Sequence, residues 1–432
     1  MRKSEFLEIK TPQDFKKKLL RWAQQFDELV YLDGNRHTDS YNSFEAIIAI
    51  GLESEIKTND CNAFQKLSAY KARIKDWIFG YLSYDLKNEL EDLSSKNHDG
   101  LGFNKLHFFQ PKKLIFLRRN IVEFHYLNQY AHDIKIDLEH ILQVDLLKQI
   151  EDNFETPKIK LRIHKNAYLD KINGVLKKIH RGAIYEVNIC QEFFSPNTII
   201  NPLKTFEKLN EISQPPFAAF LKLDDKYVLC ASPERYLKRV DKKVVSQPIK
   251  GTAARSHNPC KDEFLKKELA NDAKERSENI MITDLVRNDF SKNALKGSVK
   301  VEELCEIYTF KQVHQMISTV SANIEDTIDS VQVIKDTFPM GSMTGAPKVS
   351  AMKIIEQYEE TKRGIYSGAI GYFNPNDNFD FNVVIRSILY NSKNKYVSYS
   401  VGSAITSKSI PQKEYEECLL KAKAMRKALE QK

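Results

Sequence analysis

Apolar residues recur at helical spacing near the start of the chain. Phe15, Leu19, Leu20, Trp22, Ala23 and Phe26 form one stripe and predict an opening helix. Thr11 fits its N-cap, Pro12 its first position and Asp14 the positive end of its dipole. Leu29-Val-Tyr-Leu32 then reads as a strand ended by Asp33-Gly34. Strands and helices alternate through residues 40–150. Within them, residues 76–85 are an aromatic strand suited to a sheet core, and residues 112–119 and 122–127 make a hairpin joined through Asn120. The polar stretch 137–160 reads as a link.

From residue 164 the pattern changes. Residues 168–181 predict a helix with Ile172, Val175, Leu176 and Ile179 on one face. Residues 184–194 alternate strictly, with Glu186, Asn188 and Cys190 on one side and Tyr185, Val187 and Ile189 on the other. That polar side is either a solvated face or part of a site. Two strands, 216–223 and 227–232, join at Asp224-Asp225, and the second runs into Pro233-Glu234. Residues 262–288 predict one long helix, followed later by a helix at 349–358. Gly-rich residues 364–371 read as a strand, as do 381–389, with Arg386 embedded in apolar neighbours, and 396–404. The last helix is amphipathic from Lys413.

Composition narrows the class. With 432 residues, 42% of them hydrophobic, the chain can bury the core of one large domain or two ordinary ones. No apolar run is long enough for a membrane span, and residues 1–10 lack the apolar stretch of a secretory signal, so a cytoplasmic location is expected. The six cysteines are scattered, with no C-x-x-C pair, as free thiols in a reducing compartment would be. The net charge of +8 is spread along the chain, which favours small anionic substrates over nucleic acid.

Candidate chemistry clusters at few places. A β-branched run ends at Pro248, and a strand stopping there would hold Lys250 at its tip before a Gly251-Thr252 turn. A lysine nucleophile must be neutral, so its pKa has to fall about three units from about 10.4. A surface lysine on a turn also accounts for the segment. Glu234 stands where a strand ends, a place for a catalytic or a solvated carboxylate. Glu275 and Glu278 are three apart on a helix, and Glu414 and Glu417 repeat the spacing. Two such pairs make an oxygen cage of the kind Mg²⁺ accepts, although E-x-x-E also arises by chance where 29% of residues are charged. Small residues between Pro339 and Pro347 precede a helix and suit backbone approach to an anion. Arg386 needs a partner, and a carboxylate ligand is one candidate.

In chain order, Ser232-Pro-Glu-Arg235, Pro248-Ile-Lys-Gly-Thr252, residues 275–289 with their Asp284-Leu-Val-Arg-Asn-Asp289 end, Gly341-Ser-Met-Thr-Gly-Ala-Pro347, Tyr366-Ser-Gly-Ala369, Arg386, Val401-Gly402 and the Glu414, Glu417 pair resemble the chorismate-utilising synthases over residues 160–432. Gly80-Tyr-Leu-Ser-Tyr-Asp85 is similar to that family's N-terminal part. The resemblance implies an α+β fold, with large antiparallel sheets flanked by helices around a central cleft. Residues 1–150 would be the N-terminal part of the body and residues 160–432 the catalytic region.

It also implies roles. Glu275, Glu278, Glu414 and Glu417 match the residues that hold Mg²⁺, which binds the ring carboxylate of chorismate. Tyr366 and Arg386 match those that hold the enolpyruvyl carboxylate, and Gly402 and Ser403 would lend backbone donors. Thr344 and His314 match positions near the ring and its leaving group. Glu234 matches the general acid for the departing C4 hydroxyl. Lys250 points to the aminodeoxychorismate-forming branch, because alanine usually replaces it in the anthranilate-forming branch. It would attack ring C2, and ammonia would then enter at C4 and expel it, giving 4-amino-4-deoxychorismate for p-aminobenzoate and folate. Nearby Mg²⁺ would help keep this amine neutral while the glutamates oppose that, so burial would have to contribute. Glu186 departs from the family: isochorismate-forming members have a water-activating lysine there, and ammonia-using members more often have glutamine. It either orients ammonia or is paired off structurally. Anthranilate, isochorismate or salicylate synthesis are the alternatives, with a non-catalytic ligand-binding relative as a further one. No Cys nucleophile elbow with a following His/Glu pair is evident, so ammonia is expected from a separate glutamine amidotransferase subunit, with no nucleic-acid or membrane partner.

Overall fold

The computed structural model describes residues 1–37, 41, 44–148, 155–311 and 313–430. Among the described residues are eleven α-helices and twenty strands. The pairings between them are antiparallel, as an α+β fold of this kind requires.

Two long strands, Ala46–Thr58 and Leu106–Arg118, pair with each other and belong to both halves of the sheet. From the first, pairing runs through Leu29–Asp33, Phe217–Leu223, Lys226–Ser232, Ser387–Asn391, Tyr396–Thr406 and Glu186–Ser195. From the second, it runs through Ile78–Leu82, Ala369–Phe373, Phe379–Val383, Arg235–Val240, Lys243–Gln247 and Val313–Asn323. Residues from before 150 and after 160 thus share one hydrogen-bonded sheet. The boundary expected at residue 150 lies outside the described residues.

These strands are apolar on both faces because each face covers a different core. Val30, Ile47, Ala49, Leu221 and Val228 point into a core they share with Phe79, Phe108, Phe373 and Phe381. Their chain neighbours Leu29, Tyr31, Ile48, Phe220 and Leu229 point the other way, under helices that contribute Phe15, Val175, Phe206 and Met425. Burying a side chain of this size is worth roughly 1.5–3 kcal/mol, so both layers are strongly held.

Several sequence expectations change. A strand, Arg2–Glu8, precedes the first helix and pairs with Ile121–Leu127; its charged, half-exposed pattern hides it from an apolar scan. The long helix expected at 262–288 is two, Pro259–Asn271 and Ala273–Ser291, broken at Asp272. The Gly-rich strand starts only at Ala369. The strand expected at 381–389 is divided: Phe379–Val383 and Ser387–Asn391 pair with different neighbours, and Arg386 lies between them at φ +53°. No helix among the described residues is long and apolar enough to cross a membrane.

Candidate active site

A cavity of about 690 Å³ opens where the strands carrying Asn188, Lys250, Gln315 and Gly402 meet the helices Ala273–Ser291 and Pro411–Glu430. Its walls gather Glu234, Lys250, Glu275, Glu278, Tyr366, Arg386, Gly402 and Glu417 from widely separated parts of the chain.

Lys250 does not sit on the expected strand tip. A second strand, Ile249–Ala254, follows Pro248 directly. Its register against Val313–Asn323 slips between Ile249 and Thr252, where Gly251 adopts φ +93°. This is a bulge, and a bulge re-aims side chains. It buries Lys250 with its Nζ 2.7 Å from Glu186 Oε1. Burial alone would lower the ammonium's pKa, but Glu186, with Glu278 and Glu234 behind it, pushes it up to about 12. The amine is therefore an ion-paired ammonium, opposite to the neutral state expected. Glu186 arrives there by the alternation foreseen for its strand: Val187 and Ile189 enter the helix-covered core, while Glu186 and Asn188 turn the other way.

Glu234 follows the end of Lys226–Ser232, and its backbone N–H donates to Ser232 Oγ at 3.2 Å. Burial raises its carboxyl to about 7, against the partial opposition of Lys250. An acid poised there can carry a proton at neutral pH.

Asp272 decides where the acidic pair falls. Its carboxylate accepts from the backbone N–H groups of Lys274 and Glu275 at 2.8 and 2.9 Å, so a new helix starts and presents Glu275 and Glu278 from its first turns. Glu414 lies in the first turn of Pro411–Glu430, with Glu417 just beyond. Glu278 and Glu414 are buried, and Glu278 Oε1 and Glu414 Oε2 have no hydrogen-bond partner. Burial, reinforced by Glu186, raises Glu278 to about 8. Burial also raises Glu275. Burial opposes ionisation of Glu417, but Lys421, 2.5 Å away, holds it below the ordinary range. Buried, unsatisfied carboxylate oxygens are a donor set that a hard divalent cation fits. Among the described residues, however, no three Asp, Glu, His or Cys side chains already converge as a cage. The ammonium of Lys274 lies among the carboxylates, 3.7 Å from Glu278 Oε1 and 3.5 Å from Glu414 Oε1.

Arg386 lies in the cavity wall, and no described residue hydrogen-bonds or ion-pairs with its guanidinium. Burial lowers its pKa, with Tyr366 and Glu417 acting the other way. Tyr366 is buried beside it in the wall, its hydroxyl 3.7 Å from Cys190 Sγ. Gly402 faces Cys190 across the ladder, and a Cβ there would lie 2.5 Å from both Asn188 Oδ1 and Cys190 Sγ. Its carbonyl accepts from Lys421 Nζ at 3.0 Å, so its backbone polar groups point away from the Glu186–Ser195 strand.

Three expected residues are placed otherwise. Ser403 is turned by strand alternation, its hydroxyl 3.3 Å from that of Tyr168 and its backbone toward the Glu186–Ser195 strand. Thr344 is buried behind the wall, its hydroxyl donating to Met340 and Gly341 carbonyls at 3.2 and 3.3 Å, while Ser342 and Met343 face the cavity. His314 faces away, 3.1 Å from Asp262 Oδ1 and 3.0 Å from Thr309 Oγ1. Its neighbour Gln315 takes the cavity position, buried, with Oε1 unpartnered. No motif in the sequence marks Gln315 or Lys274. Strand parity next to His314, and adjacency to Glu275, were the signals that could have found them.

Residues 25–427 match the chorismate binding enzyme family. Component 1 of aminodeoxychorismate synthase from Bacillus subtilis (strain 168) is 30% identical over 369 residues, covering 81% of this chain and 76% of that one. The probable chloroplastic aminodeoxychorismate synthase of Oryza sativa subsp. japonica is 39% identical over 271 residues; these are 62% of this chain, which spans only 30% of the rice protein's length. Anthranilate synthase component I from Streptococcus pneumoniae has the same fold, with a TM-score of 0.78 at 23% identity over 90% of this chain and 94% of that one. A match this long, with Glu275, Glu278, Glu417, Lys250 and Arg386 around one cavity, means that the chain belongs to the chorismate-binding enzyme family.

Proposed function

We propose that the protein is component I of an aminodeoxychorismate synthase, converting chorismate and ammonia to 4-amino-4-deoxychorismate and water. The observation that carries this reading is the 2.7 Å ion pair between Glu186 and Lys250, whose cavity is also lined by Glu234 and by Arg386, a guanidinium with no partner among the described residues. Arg386, with Tyr366 beside it, grips the enolpyruvyl carboxylate through its planar fork. Gly402 offers its backbone N–H from the strand edge. Glu186 accepts the proton of Lys250, which frees the amine. Glu234 gives its proton to the C4 hydroxyl, the C4–O bond breaks and water leaves, while Lys250 Nζ bonds to C2 and the ring double bonds shift. Ammonia then bonds to C4 as an ammonium, and the C2–N bond breaks with its electron pair returning to the lysine amine. Glu186 gives its proton back to that amine, and the proton lost from the new C4 ammonium restores Glu234.

Glu275, Glu278, Glu414 and Glu417 would hold Mg²⁺, which when bound supplies charge neutralisation and Lewis-acid polarisation at the ring carboxylate. Ammonia comes from a separate glutaminase subunit, a reading supported by the component 1 relative. Residues 160–432 carry the reacting groups and residues 1–150 complete the body. The six cysteines, all free, fit a cytoplasmic enzyme.

The test is product analysis by mass spectrometry after incubation with chorismate, MgCl₂ and ammonium chloride, with a lyase in half the samples. Aminodeoxychorismate that becomes p-aminobenzoate only with lyase is the expected result. Anthranilate, isochorismate or salicylate would reassign the branch. No product, even with a glutaminase subunit added, would remove the enzymatic reading.

A further inference from the structure

Lys274 stands second in the helix Ala273–Ser291, where the helix dipole disfavours a cation. The sequence offers no local compensation except acidic neighbours. Its side chain is one-third exposed, yet it leans inward, 3.7 Å from Glu278 Oε1 on its own helix and 3.5 Å from Glu414 Oε1 on the final helix. Glu275 and Glu417 also act on it electrostatically, so all four carboxylates of the acidic cluster face this one ammonium. The contacts are long for charge-assisted hydrogen bonds, which run about 2.7–2.9 Å. Glu278 Oε1 and Glu414 Oε2 lack any hydrogen-bond partner. Lys274 therefore neutralises the cluster without binding it tightly. Two further cations act on the cluster, but both are engaged: Lys421 by Glu417 and the Gly402 carbonyl, and Lys250 by Glu186 at 2.7 Å.

We propose that Lys274 is an internal competitor for the divalent cation: its ammonium holds the Glu275, Glu278, Glu414 and Glu417 cluster together and must swing out when the cation binds. Mg²⁺ draws its oxygens to about 2.0–2.1 Å, which leaves no room for an ammonium among the same carboxylates. The one-third exposure of the Lys274 side chain gives it somewhere to go. The lysine would thus set how much cation the cluster requires and would keep it from flying apart before the cation arrives. This inference rests on the metal reading of the acidic cluster proposed above.

The test needs no substrate. Wild type, Lys274→Met and Lys274→Arg are titrated with MgCl₂ by isothermal calorimetry, and their melting is followed in EDTA and in excess MgCl₂. Lys274→Met should bind Mg²⁺ about tenfold more tightly, the scale of a typical coupling between two ligands. It should melt lower than wild type in EDTA and gain more on adding Mg²⁺. Lys274→Arg, which keeps the charge, should stay near wild type. Equal Mg²⁺ affinity in wild type and Lys274→Met, or weaker binding by the variant, overturns the competitor role while leaving the metal reading intact. Binding by none of the three overturns the metal reading and this inference together. If Lys274→Met does not fold in EDTA but folds with MgCl₂, the counter-ion role is upheld directly.

Discussion

A carboxyl at about 7 and an ammonium at about 12 in one cavity set two different pH boundaries. Glu234 must be protonated to act as an acid, so kcat should fall as pH rises through about 7. Glu234→Gln should lower kcat by roughly 10²–10⁴ and abolish that limb, which a pH–rate profile of both proteins would check. Stability carries the same signature. Because folding raises the Glu234 pKa, its contribution is fully present below the unfolded value of 4.5 and is lost as pH rises through about 7. The glutamine variant, neutral throughout, should therefore gain on wild type by about 3 kcal/mol between pH 4.5 and pH 8 in denaturant titrations. Arg386 makes a separate case. No described residue bonds its guanidinium, which can therefore meet a ligand, and Arg386→Lys keeps the charge while losing the fork. Chorismate KM should rise about tenfold or more, with melting little changed, because no internal bond is lost.

At the scale of elements, the site depends on where helices start and strands bend. Asp272 starts the helix that carries Glu275 and Glu278. Asp272→Ala should cost about 1 kcal/mol of stability and loosen the position of both glutamates, seen as a lower melting temperature and a higher Mg²⁺ requirement. Gly402→Ala would force a methyl group to 2.5 Å from Asn188 Oδ1 and Cys190 Sγ, costing about 1–3 kcal/mol and narrowing the cavity at that wall. Much of this was legible in the sequence. The i, i+3 spacing of the glutamates, the alternation from Glu186 to Cys190, and the bracketing of Lys250 by Pro248 and Gly251 could all be read directly. Other features lie in pairing, which one strand does not encode. The slip at Gly251 fixes where Lys250 points, and strand parity gives Gln315 rather than His314 to the cavity. Arg386 looked like a residue inside one strand because both flanks are apolar; each flank covers a different part of the sheet, and the chain crosses between them at φ +53°. The opposition of glutamates to a neutral Lys250 is legible in the sequence, but its direct partner is not, because Glu186 is brought in by another strand.

The whole molecule arranges charge in a way its net value of +8 conceals. The cavity interior is acidic, with Glu186, Glu234, Glu275 and Glu278 near Lys250, whereas its mouth carries Arg255, Lys311, Lys423 and Lys427. A dianionic substrate is drawn to such a rim and would be repelled by the carboxylates beyond it until a cation or Arg386 meets its charge. On the proposed function, rim and interior would do separate work: the rim would set the rate of encounter and the interior the chemistry. Lys423 and Lys427 are exposed on the last helix, so reversing both leaves the core untouched. Lys423→Glu with Lys427→Glu should lower kcat/KM for chorismate several-fold at low ionic strength while kcat holds, since steering acts on association. The deficit should shrink as salt rises, because the Debye length falls from about 30 Å at 0.01 M to about 8 Å at 0.15 M. Initial rates over that salt range, for wild type and the double variant, decide it. Parallel lines would mean that the rim lysines do not steer, and that capture depends on Arg386 and the acidic cluster alone.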